Sequence, residues 1–334
     1  MIGGLTRFLS RVFIFTSLMA LVTIMLSSVW FQHIWTKPST QAEDRIIQIP
    51  AGTNHKQLSR YLHDEGFLPS IWLYSALRFG FTIIAQESFS PKAGEFEVPA
   101  RSSYADLFEI MDQGIPYQHR FMVIEGQRSQ EIVVALNKDD RLKGAILRTP
   151  KEGTLAPDTY FFERGTQRSD LIARMQARQE IIIAEEWANR ASDLPFKTAT
   201  EAIIMASIIE KESGLSSEQP LVSSVFANRL RDDMRLQSDA TVLYGIIEDE
   251  GRAREVLRRD LEKDGPWNTY RRMGFPKTAI ANPSRLAIRA ALNPMPSTYF
   301  YFVADGQGGH KFAKTYKEHQ KNVLAYRRAK AKNK

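Results

Sequence analysis

The 334-residue chain has no cysteine. That excludes a disulfide-stapled scaffold, thiolate zinc, iron–sulfur clusters and a cysteine nucleophile. Its six histidines are scattered, and the GxxxxGKS/T, HExxH and GxSxG patterns are missing, so metal and nucleotide chemistry have no visible seat. The reading is accordingly no metal and no cofactor. Glycine (19) and proline (15) are modest in a chain that is 43% hydrophobic and 25% charged, which excludes collagenous and low-complexity classes and leaves a protein that buries a core. Acidic residues are outnumbered, 38 against 45 Lys and Arg, for a formal charge of +7. An anionic neighbour follows, whether nucleic acid, a lipid surface or an acidic wall polymer, and charge alone does not choose among them.

The N-terminus narrows that choice. Val12 to Phe31 carries no charge over 20 residues, with Arg7 and Arg11 before it and His33 after it. At about 1.5 Å per residue such a helix covers the roughly 30 Å hydrocarbon core, and Trp30 and Trp35 fall where an interfacial aromatic belt would sit. The positive-inside rule puts residues 1–11 in the cytoplasm and the rest of the chain outside. A cleaved signal peptide is the alternative, with Ser27 and Ser28 as a small-residue site. Either way the working part is extracytoplasmic, which argues against nucleic acid as the partner.

The organisation expected along the chain is α+β. A membrane helix spans 12–32, a polar linker 33–44, a small β-α-α-β subdomain of LysM-like layout 45–116, a mainly helical α+β domain 117–325 and a basic tail 326–334. In the subdomain, Ile46, Ile47 and Ile49 make a strand, Gly52 a turn, and Leu58, Tyr61 and Leu62 the apolar face of a helix ending at Gly66. A helix from Ser70 to about Phe79, a strand over 93–98 and a helix over 103–113 closed by Gly114 complete it. Ile49, Gly52, Leu58 and Leu62 recur as Val123, Gly126, Ile132 and Leu136 at a constant offset of 74 residues, so the strand, glycine turn and helix read as an internal repeat. Further on, helices are expected over 169–190, 199–213, 217–232 and 284–293. Thr198 with Glu201 forms a capping box, and Gly214 supplies a C-terminal stop. Residues 299–303 (YFYFV) read as a buried strand and Asp305 to Gly309 as a turn.

Projected at about 100° per residue, the helix 199–213 puts Glu212 on the side of Met205, Ile208 and Ile209, with Glu210 about 160° away. An acid on an apolar face at the negative end of a helix dipole is raised in pKa. A protonated carboxyl near neutral pH is what a general acid requires. The alternative is a salt-bridged helix end, with Arg229 or Lys211 as partner. Two polar constellations accompany it: 235–245, with Gln237, Ser238, Asp239, Thr241 and Tyr244, and 267–270, with Asn268, Thr269 and Tyr270. Hydroxyls and amides among aromatics suit a carbohydrate cleft, though they also make ordinary turns.

ASIIEKES at 206–213, with 223–245, WNTY at 267–270 and YFYFVADGQGGH at 299–310, closely resembles the YceG-like family of endolytic murein transglycosylases, often called MltG. AGEFEV at 93–98, IEGQ at 124–127 and EGTLAPDTYFF at 152–162 agree with it; Ala156 departs, where many members carry a bulky aromatic. The resemblance, over about 45–325, implies a single-pass inner-membrane enzyme with a periplasmic catalytic domain and a LysM-like subdomain. Such an enzyme cuts peptidoglycan glycan strands internally, between MurNAc and GlcNAc, to leave 1,6-anhydroMurNAc ends beside penicillin-binding synthases. It places the catalytic acid at Glu212, the second Glu of the EKE motif. Gln237, Ser238, Asp239, Thr241, Tyr244, Asn268, Thr269, Tyr270 and Glu210 are then the candidate substrate-binding residues. Two other readings stay open: a hydrolase pairing Glu212 with Asp158 or Asp239, and a non-enzymatic peptidoglycan-binding scaffold.

Overall fold

The computed structural model describes residues 2–332, with side chains of the first few residues and of Lys332 left aside. Helices α1 (Ile2–Thr36), α2 (His55–Asp64), α3 (Ile71–Ala85) and α4 (Tyr104–Gln113) surround strands β1 (Arg45–Ile49) and β2 (Gly94–Val98). There follow β3 (His119–Met122), α5 (Ser129–Lys138), β4 (Thr159–Phe162), α6 (Arg168–Ala188), α7 (Ala199–Glu212), α8 (Gln219–Arg231), α9 (Asp239–Glu250), α10 (Arg258–Glu262) and α11 (Arg285–Leu292). The chain closes with the hairpin β5 (Tyr301–Ala304) and β6 (His310–Ala313) and with α12 (Tyr316–Lys332). Among the described residues the strands form three two-stranded sheets, β1-β2, β3-β4 and β5-β6. This is a mixed helix and sheet fold rich in helix. It divides into two compact units, one ending at His119 and one beginning at Arg120.

In unit 1, β1 and β2 run antiparallel from Arg45↔Val98 to Ile49↔Gly94. Their inward residues Ile47, Ile49, Phe96 and Val98 pack with Leu58 and Leu62 of α2 and with Leu107, Phe108 and Met111 of α4. Trp35 belongs to the same core and is 7% exposed. The helix that carries the apolar run extends to Thr36, and Trp35, which the sequence put at an aromatic belt, is buried in this core. The polar stretch after it is tied down by backbone bonds. The Ser39 amide donates to the Ser102 carbonyl at 3.2 Å, and the Arg101 amide to the Gln41 carbonyl at 3.0 Å. Polarity predicts solvation, but these backbone groups are paired against the 98–103 turn. α1 is the one helix among the described residues that is long and apolar enough to cross a membrane.

The offset of 74 holds to the residue. α2 begins at 55 and ends at 64, α5 begins at 129 and ends at 138, and the turn glycines Gly52 and Gly126 sit at φ 80° and 73°. A side chain there would be strained, hence glycine. The repeat also reaches further than the sequence revealed. At an offset of 64, Phe96 and Val98 correspond to Tyr160 and Phe162, and Leu107, Phe108 and Met111 to Leu171, Ile172 and Met175, all of them buried. The offset drops by ten residues because α3 has no counterpart: residues 139–158 of the second copy carry no helix.

Unit 2 is organised on α7. From Ala202 to Ile209 every residue of it is buried, as befits a helix packed on all sides, here by α6, α8, α9 and α11 among others. Thr198 caps it as expected: the Glu201 amide donates to Thr198 Oγ1 at 3.2 Å and the Thr198 amide to Glu201 Oε2 at 3.0 Å. Gly214 does not act as a left-handed stop. Ser213 ends the helix in an extended conformation, φ −124° and ψ 115°, and Gly214 is not among the positive-φ glycines. Ala156, the departure from the family pattern, is fully buried in the core around α7.

Candidate active site

Glu212 is the last residue of α7, on the face of Met205, Ile208 and Ile209, whose burial brings that face into the core. Its carboxyl opens into a cleft of about 500 Å³ lined by Arg229, Gln237, Asp239, Tyr270, Tyr301 and His310, with Phe302, Tyr316 and His319 among the others. Ser238 ends the loop before α9. As the N-cap residue its hydroxyl would ordinarily bond its own helix, but it makes no such bond and donates instead to Glu212 Oε1. The Ala240 amide, in the first turn of α9, also donates to this carboxyl. The group thus faces a helix N-terminus, where negative charge is favoured. Burial acts the other way and is the larger effect. With the neighbouring Asp239 charge it holds Glu212 above the usual carboxylate range, against the lowering by Ser238, His310 and Ala240.

Neither salt-bridge alternative forms. The Arg229 guanidinium donates to the Phe300 carbonyl at 2.7 Å and the Leu236 carbonyl at 2.6 Å, and Lys211 Nζ to the Gly126 carbonyl at 3.3 Å. Arg229 lies 5.2 Å from the centroid of Tyr301, and the His319 ring stacks on Tyr301 at 5.3 Å. The Tyr270 hydroxyl donates to Asp239 Oδ1 at 2.6 Å, so Asp239 is held by a neutral donor beside Glu212. Burial and then this bond hold the Tyr270 phenol well above its ordinary pKa. His310 bonds Glu218 Oε2 through Nδ1 at 2.7 Å, which orients its ring at the cleft wall.

Of the residues singled out by sequence, Glu212, Gln237, Ser238, Asp239 and Tyr270 come together here. Gln237 lies at φ 52°, a strained setting for a non-glycine side chain, with its amide on the Thr269 carbonyl at 3.2 Å. Thr241 and Thr269 stand behind the loop. Thr269 Oγ1 accepts the Ser238 amide at 3.0 Å and lies 2.9 Å from Thr241 Oγ1, so they position Ser238 without facing the cleft. Asn268 is buried and donates to the Asp260, Leu261 and Lys263 carbonyls. Tyr244 packs edge-on against Trp267 at 5.3 Å, away from the cleft lining. Glu210 accepts the Ser284 amide at 2.8 Å at the start of α11, on the other side of α7. Asp158 lies at β4, 3.8 Å from Arg178, and does not line the cleft.

Tyr316 and His319 are not singled out by sequence; Tyr301 and His310 enter only inside the 299–310 motif, and Arg229 only as a salt-bridge partner of Glu212. The strand expected to be buried is half-buried throughout, because one side of it forms the cleft wall. The aromatic density of YFYFV and the glycine-rich turn leading to His310 were the available signal.

A cleft with a raised carboxyl beside a helix N-terminus, walled by tyrosines, has the chemical means to give a proton to a bound polar group. The chain belongs to the YceG-like family, which it matches over residues 47–325. It is 37% identical over 185 residues to the endolytic murein transglycosylase of Bacillus subtilis, an overlap of 54% of this chain and 49% of that protein. With the protein of the same name from Streptococcus pneumoniae it shares 31% over 189 residues, 55% of this chain and 34% of that one. The chain thus spans about half the length, or less, of these curated relatives. A crystal structure of a yceG-like protein from Listeria monocytogenes is similar at 28% identity, with a TM-score of 0.49, over 84% of this chain and 99% of that one.

Proposed function

We propose that the protein is an endolytic lytic transglycosylase of peptidoglycan, with Glu212 as its general acid and base. The observation that carries this reading is a raised carboxyl at the cleft, tied to the N-terminus of α9 through Ser238 and Ala240, in a chain whose relatives are named for that activity. Neutral Glu212 donates its proton to the glycosidic oxygen between MurNAc and GlcNAc, and the C1–O bond breaks. The C6 hydroxyl of the same MurNAc attacks C1, and its proton passes to the Glu212 carboxylate, restoring the acid. No water is consumed, so no second carboxylate is needed to activate one. Burial keeps the acid protonated beforehand, and the Ser238 and Ala240 donors stabilise the carboxylate once it forms. Gln237, Asp239 and Tyr270 hold the sugars.

The same reading has α1 as a single-pass inner-membrane anchor with its N-terminus in the cytoplasm, unit 1 as a LysM-like glycan-binding module and penicillin-binding synthases as neighbours. The test is the full chain and Glu212→Gln on purified glycan strands, with products identified by mass spectrometry. The expected result is internal cleavage to ends lighter by one water than hydrolytic ends, reduced at least about a hundredfold in the variant. Reducing ends that take up solvent oxygen would establish a hydrolase. Strands bound equally by both proteins and left intact would establish a scaffold.

A further inference from the structure

α3 carries an apolar surface that unit 1 does not use. Leu73, Tyr74, Leu77, Gly80 and Phe81 are its buried residues. On the opposite side Trp72, Ala76, Phe79 and Ile83 recur at i, i+4, i+7 and i+11, one stripe of a helix. Trp72 and Phe79 are each 68% exposed and Ile83 61%. Arg78 is the only charged residue between Ile71 and Ala85, and at about 100° per residue it falls outside that stripe.

Two independent observations say what covers it. First, α3 meets α1 at the point where α1 leaves its exposed apolar run. From Phe8 to Trp30 every residue of α1 is exposed, and the next residue, Phe31, lies against Gly80, where a Cβ would come within 1.9 Å of its ring. Trp35, one turn on, is in the unit 1 core. α3 therefore touches α1 at the level where the apolar run ends. Second, α3 is the element that the second copy of the repeat lacks, and that copy has no apolar helix leading into it. At 15 residues, about 22 Å of helix, α3 is too short to span a bilayer and suited to lying along one.

We propose that α3 lies in the interfacial layer of the phospholipid bilayer, with Trp72, Phe79 and Ile83 inserted beside the point where α1 emerges. Unit 1 is then held against the membrane by two elements and does not swing on α1 alone. Tryptophan at the edge of the stripe matches the headgroup level, where its amphipathic ring is favoured. The inference rests on the reading of α1 as a membrane anchor.

Because the chain has no cysteine, a single introduced thiol takes a fluorescent label uniquely. Leu18→Cys and Ala76→Cys are made in the full chain, labelled with an environment-sensitive dye and reconstituted into phosphatidylcholine vesicles. Nitroxide lipids and aqueous iodide are the quenchers. Expected are blue-shifted emission at both positions, loss of emission at 18 with deep nitroxides and at 76 with shallow ones, and no loss with iodide. Emission at 76 lost to iodide while 18 is quenched by lipid overturns the proposal and leaves the anchor standing. Protection of 76 from both quenchers means that protein covers the stripe, which also overturns it. A label at 18 outside the lipid removes the anchor reading and this inference together.

Discussion

At Glu212 two opposed effects meet in one carboxyl group. Burial, with help from the Asp239 charge, raises its pKa, and the Ser238 hydroxyl and the start of α9 lower it. On the proposed mechanism the acid must be protonated to act, so activity should fall as pH rises through that raised value. Asp239→Asn removes a repelling charge, lowers the Glu212 pKa and moves the alkaline limb of the kcat profile to lower pH. Ser238→Ala removes a donor and moves it to higher pH. Shifts in the same direction for both variants would contradict this electrostatic account. A second buried carboxyl is structural. Glu186, 3% exposed, accepts Arg285 Nε at 2.6 Å and Arg289 Nη2 at 2.8 Å, and first the Arg289 bond holds its pKa below the ordinary value. A depressed native pKa stabilises the fold above the unfolded value, near 4.3, and that stability is lost as pH falls through the native one. Glu186→Gln should cost about 2 kcal/mol at neutral pH and flatten the acid side of the stability profile, read by denaturant unfolding.

Elements were legible where their local signals were complete. The capping box of α7 formed because Thr198 and Glu201 satisfy one another's backbone donors. Thr198→Ala should lower stability by about 1 kcal/mol, measured as a shift of the unfolding midpoint. Gly214 shows the limit of such signals. A glycine past a helix end allows a left-handed stop but does not require one, and Ser213 already leaves the helix in extended geometry with its hydroxyl on the Leu215 carbonyl at 2.9 Å. The strand β5 shows another: an aromatic run has the same composition whether both its faces are buried or one borders a cleft.

For the whole molecule, the packing of Trp35 decides where a soluble fragment can begin. A fragment starting at Lys37 lacks a side chain of the unit 1 core, whereas one starting at His33 retains it. The shorter fragment should be less stable by about 3 kcal/mol, visible in denaturant unfolding followed by near-ultraviolet dichroism. Equal stability of the two would show that Trp35 contributes nothing to unit 1.

Sequence alone determined the apolar N-terminal helix, the repeat at 74 residues, the cap of α7 and the placement of Glu212 on an apolar helix face, because each depends on residues within a few turns of one another or on a fixed spacing. It also determined that Glu212 and Glu210 point apart. Tertiary structure alone decided the rest of the site. Arg229, Tyr301, His310 and His319 come from α8, a hairpin and α12, and no short-range pattern links them to Glu212. It likewise decided that Thr241 and Thr269 brace the Ser238 loop from behind, while Asn268 ties its own loop to the 260–263 carbonyls. A polar residue type states which bonds a side chain can make, and only packing states which partner it meets.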